Sequence, residues 1–152
     1  LHIGGTGSLE NEYKKLAKEL GIESKCKFYG FVPYASIPQW MEQLHFFVCS
    51  SRYETFCVAL VEAMATGMPV VSTRCGGPED FVNDSNGLLV TNENIEALGE
   101  GIHKMMQQHT SYDAQAIASY ARDNFSRQSF LMRIEKLYRE VITKNSLTAR
   151  TE

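Results

Sequence analysis

The chain has 152 residues, 43% of them hydrophobic, which is enough to bury one respectable core and predicts one domain. Fifteen basic residues against eighteen acidic ones give a net charge of -3, and no cluster of Lys and Arg stands out. This balance argues against nucleic acid or an anionic membrane as the main partner. No run approaches the roughly 20 apolar residues that a membrane span needs.

The first forty residues predict strand, helix and strand. Residues 1–4 predict a short strand, residues 9–20 a helix with one apolar face, and residues 25–30 a second strand followed by a loop. Gly5-Thr6-Gly7 lies between the first two elements, but Glu10 stands where a dinucleotide fingerprint needs a third glycine, and no phosphate-loop pattern follows. A tight turn and a ligand contact both stay open. Because the chain starts inside a strand, we expect it to be part of a longer protein.

The centre of the chain predicts a strand–helix–strand unit. After a helix starting near Ser36, the apolar run at 46–49 predicts a buried strand, residues 56–65 a helix, and residues 69–73 another strand. Such a unit has parallel strands and a right-handed crossover. Ligands then bind beyond the carboxyl ends of the strands, so we expect the site after residue 49.

The remaining elements continue the alternation. We predict a glycine corner at 76–79 with a short helix, a turn at 83–87, a strand at 88–90, and helices from 95, 116 and 126. About five strands and seven helices indicate an α/β fold with a doubly wound, Rossmann-like parallel sheet over residues 1–143. Residues 144–152 form a polar tail that we expect to be frayed.

Four cysteines and four histidines are scattered along the chain. No CxxC pair occurs, so we expect buried, reduced thiols and a reducing compartment. The histidines show no ligand spacing, and we expect no metal site. We expect Cys57 to serve in packing; the alternative is a partly reactive thiol, because Cys57 stands at the start of a predicted helix, where a thiolate is favoured.

Two acids mark the central unit. Glu54 precedes the predicted helix and Glu62 lies within it; eight steps of about 100° would leave them about 80° apart, able to reach one ligand. Free amide groups near Phe56, Cys57 and Val58 could hold a phosphate, and a carboxylate can accept hydrogen bonds from a vicinal diol. The alternative is that Glu54 complements the helix dipole and Glu62 is solvated.

The second glycine corner ends the neighbouring strand. Gly76-Gly77-Pro78-Glu79 should therefore lie at the same edge of the sheet as Glu54. A plain turn is the alternative.

Together these residues resemble the C-terminal half of a GT-B retaining glycosyltransferase of family 4 (group 1). The matching signature, Ser-x-x-Glu-x-Phe-x-x-x-x-x-Glu-Ala-Met-Ala-x-Gly-x-Pro-Val-Val, is met from Ser51 to Val71. Flanking segments agree, namely Phe28–Pro33, Gly76–Glu79 and Asn86–Val90.

The resemblance implies roles for individual residues. Glu54 would be the catalytic residue that contacts the donor sugar and helps to organise the reaction centre, and Glu62 would hold the ribose. The backbone of Thr55, Phe56, Cys57 and Val58 would bind the sugar and diphosphate, and Gly30, Phe31 and Val32 would lie against the base. Such enzymes use a nucleoside diphosphate sugar as donor, a glycan or lipid-linked acceptor, and no cofactor or metal.

Two features limit how far the roles of the family's residues can be assigned to this chain. The family usually has glycine where Thr55 and Cys57 stand, and its diphosphate clamp and acceptor domain precede the residues present here. We expect the chain alone to be inactive and its last helix, Ser126 to Thr143, to pack on the missing N-terminal domain. We expect a cytoplasmic protein, peripheral at the inner membrane face at full length. A GT-B epimerase or phosphorylase, or a non-catalytic Rossmann-like interaction module, are the alternatives.

Overall fold

The computed structural model describes residues 1–148, with side chains described through residue 144. Contacts divide the chain into two compact units, Leu1–Trp40 and the part from Met41 onward. The sequence predicts one sheet of about five strands; the described residues hold five strands in two parallel sheets, one in each unit. Within residues 1–148, no helix is long and apolar enough to cross a membrane.

The first unit is a small α/β layer. Strand β1 (His2–Gly4) pairs in parallel with β2 (Lys27–Gly30), and helix α1 (Glu10–Glu19) connects them. A 3₁₀ turn (Tyr34–Ser36) then leads into α2 (Ile37–Met41), which begins in this unit. The elements fall where the sequence pattern predicts them.

The second unit is built around a three-stranded parallel sheet in the order β3 (Phe47–Cys49), β4 (Val70–Thr73), β5 (Gly87–Val90). Every residue of the central strand β4 is buried. Helix α3 (Val58–Ala65) connects β3 to β4, and a 3₁₀ turn (Gly77–Asp80) replaces the short helix that the sequence predicts after the glycine corner. The central strand–helix–strand unit is therefore confirmed.

Three helices complete this unit: α4 (Ile95–Gln108), α5 (Ala114–Phe125) and α6 (Arg127–Thr148). Gly101 lets α4 approach the sheet, because a Cβ there would lie 2.6 Å from a methyl carbon of Val90. Helix α5 packs against α3, and Ile117 of α5 is buried, as are Leu60 and Met64 of α3. The core thus lies around β4 and α3, which fixes the loop between β3 and α3.

The last helix extends beyond its predicted end. The described part of α6 continues to Thr148 rather than stopping at Thr143, so the predicted tail boundary falls inside a helix; residues 149–152 lie outside the described residues. Apolar side chains are exposed along this helix, and Tyr138 is 64% exposed. Packing of this face on another domain stays a prediction.

Candidate active site

The candidate site is the loop from the end of β3 to the start of α3, held against the corner after β4. The amide of Glu54 donates to the carbonyl of Cys75 at 2.8 Å, and the amide of Gly77 donates to the carbonyl of Glu54 at 2.8 Å. Glu54 and Gly76 thereby form an isolated parallel bridge beyond the regular strands. The prediction that the glycine corner and Glu54 share one edge of the sheet is confirmed.

The corner also needs a residue without a side chain. A Cβ on Gly77 would lie 2.5 Å from the carbonyl oxygen of Thr55 and 2.6 Å from the Cα of Phe56. Both distances are far below van der Waals contact. Glycine at this position therefore lets the two backbone segments approach, and it sets the position of residues 55 and 56.

The Glu54 carboxylate is half-buried and oriented by its neighbours. The Ser51 hydroxyl donates to Oε1 of Glu54 at 2.7 Å, and the Ser51 carbonyl accepts from the Thr73 hydroxyl at 2.6 Å. Thr73 is buried at the end of β4, so this chain of bonds ties the acid to the core. A carboxylate held this way presents its acceptor oxygens in a fixed direction.

Helix α3 starts two residues later than the sequence pattern predicts. Cys57 occupies the N-cap position in the left-handed region, with φ 68°, and the helix begins at Val58. The 80° relation between Glu54 and Glu62 therefore does not apply, because Glu54 lies outside the helix and is placed by the bridge to Gly76. Glu62 lies in the second turn of α3 and is half-buried.

The first turn of α3 can receive an anion. Amide groups in the first turn of a helix have no acceptor within that helix, and they lie at the positive end of its dipole. Thr55 precedes this turn and is exposed. The ring of Phe56 packs against those of Phe81 and Phe125, with centroid distances of 5.5 and 5.6 Å, so its side chain contributes to the packing of the fold.

A thiol pair lies in the same loop. The Cys57 thiol donates to Sγ of Cys49 at 3.7 Å, and this hydrogen bond lowers the pKa of Cys49, against the opposing effect of burial. The same bond, followed by burial, raises the pKa of Cys57. The raised pKa of Cys57 agrees with the packing role that the sequence favours over a reactive thiolate. Burial raises the pKa of Cys75, and all four cysteines are free.

The sequence gives little warning of this pair. Cys49 and Cys57 are eight residues apart, and only the left-handed backbone at Cys57 returns its side chain toward the end of β3. Left-handed backbone is costless for glycine but costs other residues about 1–2 kcal/mol. The substitution of cysteine for the glycine of the resembled pattern was the available signal.

The remaining predicted site residues belong to the first unit. Gly30 ends β2, Phe31 is 76% exposed, and Val32 is half-buried. The amide of Gly5 donates to the carbonyl of Gly30 at 2.7 Å, which joins the first glycine turn to the end of β2. A cavity of about 340 Å³ borders that turn, lined among others by Thr6, Tyr13 and Phe28.

Comparison with known proteins identifies this architecture. The family described as glycosyl transferases group 1 matches residues 1–124. The chain belongs to this family. The resemblance inferred from the Ser51–Val71 signature is thus confirmed, and solved GT-B glycosyltransferases confirm the fold class.

The similar proteins include two that are named as glycosyltransferases and one that was solved with a nucleotide sugar. This chain is 28% identical over 137 residues to the lipopolysaccharide core biosynthesis mannosyltransferase LpsB of Rhizobium meliloti, covering 88% of this chain and 37% of the relative. The apo structure of the lipopolysaccharide outer core galactosyltransferase WaaB superimposes with a TM-score of 0.78 at 26% identity, covering 92% of this chain and 40% of WaaB. HepE of Anabaena, solved in complex with UDP-glucose, gives 0.77 at 27% identity over 91% of this chain and 40% of HepE. The chain therefore spans about two fifths of the length of these proteins.

Proposed function

We propose that this chain is the donor-binding part of a retaining glycosyltransferase, which moves a sugar from a nucleoside diphosphate sugar to a glycan or lipid-linked acceptor. It works with a preceding domain of the same polypeptide and without a metal cofactor. The observation that carries this proposal is the backbone bridge between Glu54 and Gly76, which fixes an oriented carboxylate directly before the N-terminus of α3.

The charges of the site suit the parts of such a donor. The first turn of α3 offers amide donors and a positive dipole end to the diphosphate, including the negative charge that develops as it leaves. Glu54 is oriented to accept hydrogen bonds from hydroxyls of the donor sugar. Glu62, one turn further along α3, accepts hydrogen bonds from the ribose hydroxyls.

The proposed chemical step is a substitution at the anomeric carbon of the donor sugar. The bond from the anomeric carbon to the diphosphate breaks, an acceptor hydroxyl forms the new bond on the same face of the sugar, and the proton of that hydroxyl passes to the departing diphosphate. Glu54 stays with the sugar throughout and the α3 terminus stays with the leaving group. Two of the similar proteins, the mannosyltransferase LpsB and the galactosyltransferase WaaB, carry glycosyl transfer in their names, and HepE was solved with UDP-glucose, which supports this assignment.

Binding of matched ligands separates the roles of the two acids. UDP, UDP-glucose, GDP and GDP-mannose should be titrated against the polypeptide that includes its preceding domain. For the nucleotide that binds, Glu54→Gln should weaken the binding of the nucleotide sugar about 10- to 100-fold, since a hydrogen bond to a charged group contributes about 1.5–3 kcal/mol. The affinity for the nucleoside diphosphate without the sugar should stay unchanged. The exposed Glu100→Gln in α4 is the control. Equal weakening of both ligands by Glu54→Gln would contradict the assignment of Glu54 to the sugar.

A transfer assay tests the need for the preceding domain. The 152-residue chain should produce no glycosylated acceptor. The longer polypeptide should produce one, with the anomeric configuration of the donor sugar retained. Measurable transfer by the 152 residues alone would overturn this part of the proposal.

A further inference from the structure

Three side chains with metal-binding atoms meet in the loop between β3 and α3. They are Cys49 at the end of β3, Glu54 in the loop, and Cys57 at the N-cap of α3. One ligand atom from each, two sulfurs and a carboxylate oxygen, lies within 4.8 Å of the other two. The bridge to Gly76 and the left-handed turn at Cys57 bring them together, so backbone features hold the cluster in place.

The spacing of the sulfurs fits a tetrahedral metal ion. With zinc–sulfur bonds of about 2.3 Å and tetrahedral angles, two thiolate sulfurs lie about 3.8 Å apart. The Cys49 and Cys57 sulfurs are 3.7 Å apart. A disulfide would instead need about 2.05 Å, so the pair is already at the distance for sharing an ion.

The donor set and its surroundings select a particular class of metal. Two thiolates favour Zn²⁺ and similar thiophilic ions, whereas Mg²⁺ and Ca²⁺ prefer oxygen ligands alone. Cys49 is buried, while Cys57 and Glu54 are half-buried, which leaves one side of the cluster toward solvent for a fourth ligand. The Ser51 hydroxyl donates a hydrogen bond to the Glu54 carboxylate, and such outer hydrogen bonds commonly orient the ligands at metal sites.

We propose that Cys49, Cys57 and Glu54 bind one Zn²⁺ ion in a three-ligand site that inhibits the protein. Binding releases the thiol protons to solvent and leaves the fourth position to water. The inhibitory part rests on the proposed function, because a Glu54 carboxylate bound to zinc cannot also accept hydrogen bonds from the donor sugar. The resembled pattern has glycine at position 57, so this site belongs to the chain's own sequence.

Metal binding can be measured without any nucleotide. The reduced, metal-free protein is titrated with Zn²⁺ against a chromophoric chelator, and with Co²⁺ to detect thiolate-to-metal absorption. We expect one ion per chain, and Cys49→Ser and Cys57→Ser should each weaken binding at least about tenfold. Cys26→Ser, a thiol of the first unit, is the matched control. Unchanged zinc affinity in both variants would overturn the proposal.

A second measurement uses the unaltered protein and so does not depend on how the variants fold. Zinc should slow alkylation of the Cys49 and Cys57 pair by iodoacetamide, read by peptide mass spectrometry, and leave the rate at Cys26 unchanged. Equal rates with and without zinc at both Cys49 and Cys57 would contradict the site. His45 and His109 have ring centroids 5.2 Å apart, so loss of zinc in His109→Ala instead would place the ion there and also overturn the proposal.

The two proposals fail separately. If zinc binds at the thiols but does not change the affinity for UDP-glucose and GDP-mannose, only the inhibitory part of the zinc proposal is wrong. Absence of zinc binding leaves the donor site untouched.

Discussion

Replacement of Gly77 by alanine tests how closely the corner after β4 packs against the loop between β3 and α3. The new Cβ would lie 2.5 to 2.7 Å from three backbone atoms of Thr55 and Phe56. A comfortable carbon contact is about 3.5 Å, so these backbone segments must separate by up to about 1 Å. Forcing extra atoms into a packed site costs about 1–3 kcal/mol. Since none of the three atoms belongs to a flexible side chain, we expect Gly77→Ala to lower the free energy of unfolding by about 2 kcal/mol.

Thermal unfolding followed by circular dichroism measures this effect. A chain of this length loses about 2–4 °C in Tm for each kcal/mol, so Gly77→Ala should melt about 4–8 °C lower. Gly99→Ala is the matched control, because Gly99 is exposed in α4 and its new Cβ would meet nothing within 4 Å. Alanine in that helix should raise Tm by about 2–4 °C. Equal melting of Gly77→Ala and the wild type would refute the close approach of the two loops.

Two further substitutions test the loop backbone and the buried turn. Cys57→Gly should raise Tm by about 1–2 °C, because the relief of about 1–2 kcal/mol of left-handed backbone strain outweighs the added flexibility of the unfolded chain. The control, Cys26→Gly, should lower Tm, because Cys26 has an unstrained φ of -110°. A change of Tm in the same direction for both variants would contradict the strain at Cys57. Asn86→Ala should cost about 2 kcal/mol, because the buried Asn86 amide donates to the Phe81 carbonyl at 2.9 Å and its oxygen accepts from a neighbouring amide at 2.8 Å. The exposed Ser85→Ala should change stability by less than about 0.5 kcal/mol, and urea denaturation of both variants gives the comparison.

Local sequence patterns predicted the order of the elements because each strand and helix in this fold buries apolar residues at its own period. The run at Phe47–Cys49 and the buried strand Val70–Thr73 are examples. The start of α3 was placed too early, since Phe56 has the spacing of a helix residue but packs its ring with Phe81 and Phe125. A local pattern cannot show this cluster, because its members come from distant parts of the chain.

The site was partly predictable for the same reason. The signature placed Glu54 and Glu62 after the carboxyl end of β3, and parallel-sheet topology placed Gly76 beside Glu54. The thiol pair was not predicted, because it depends on the left-handed backbone of Cys57, a conformation that sequence patterns assign to glycine. The extension of α6 to Thr148 was missed because its last residues are polar and show no apolar face.

The central claim, that an acid on α3 holds the ribose of a nucleotide donor, is tested most directly by a cycle of two ligands and two proteins. Isothermal titration compares UDP with its 2′-deoxy analogue, or GDP with its own, on the wild type and on Glu62→Gln of the polypeptide with its preceding domain. We predict that removing the 2′-hydroxyl weakens wild-type binding about tenfold or more, in line with about 1.5–3 kcal/mol for a hydrogen bond to a charged group, and weakens Glu62→Gln far less. Equal losses in the two proteins would show that Glu62 does not meet the ribose, and would contradict the account.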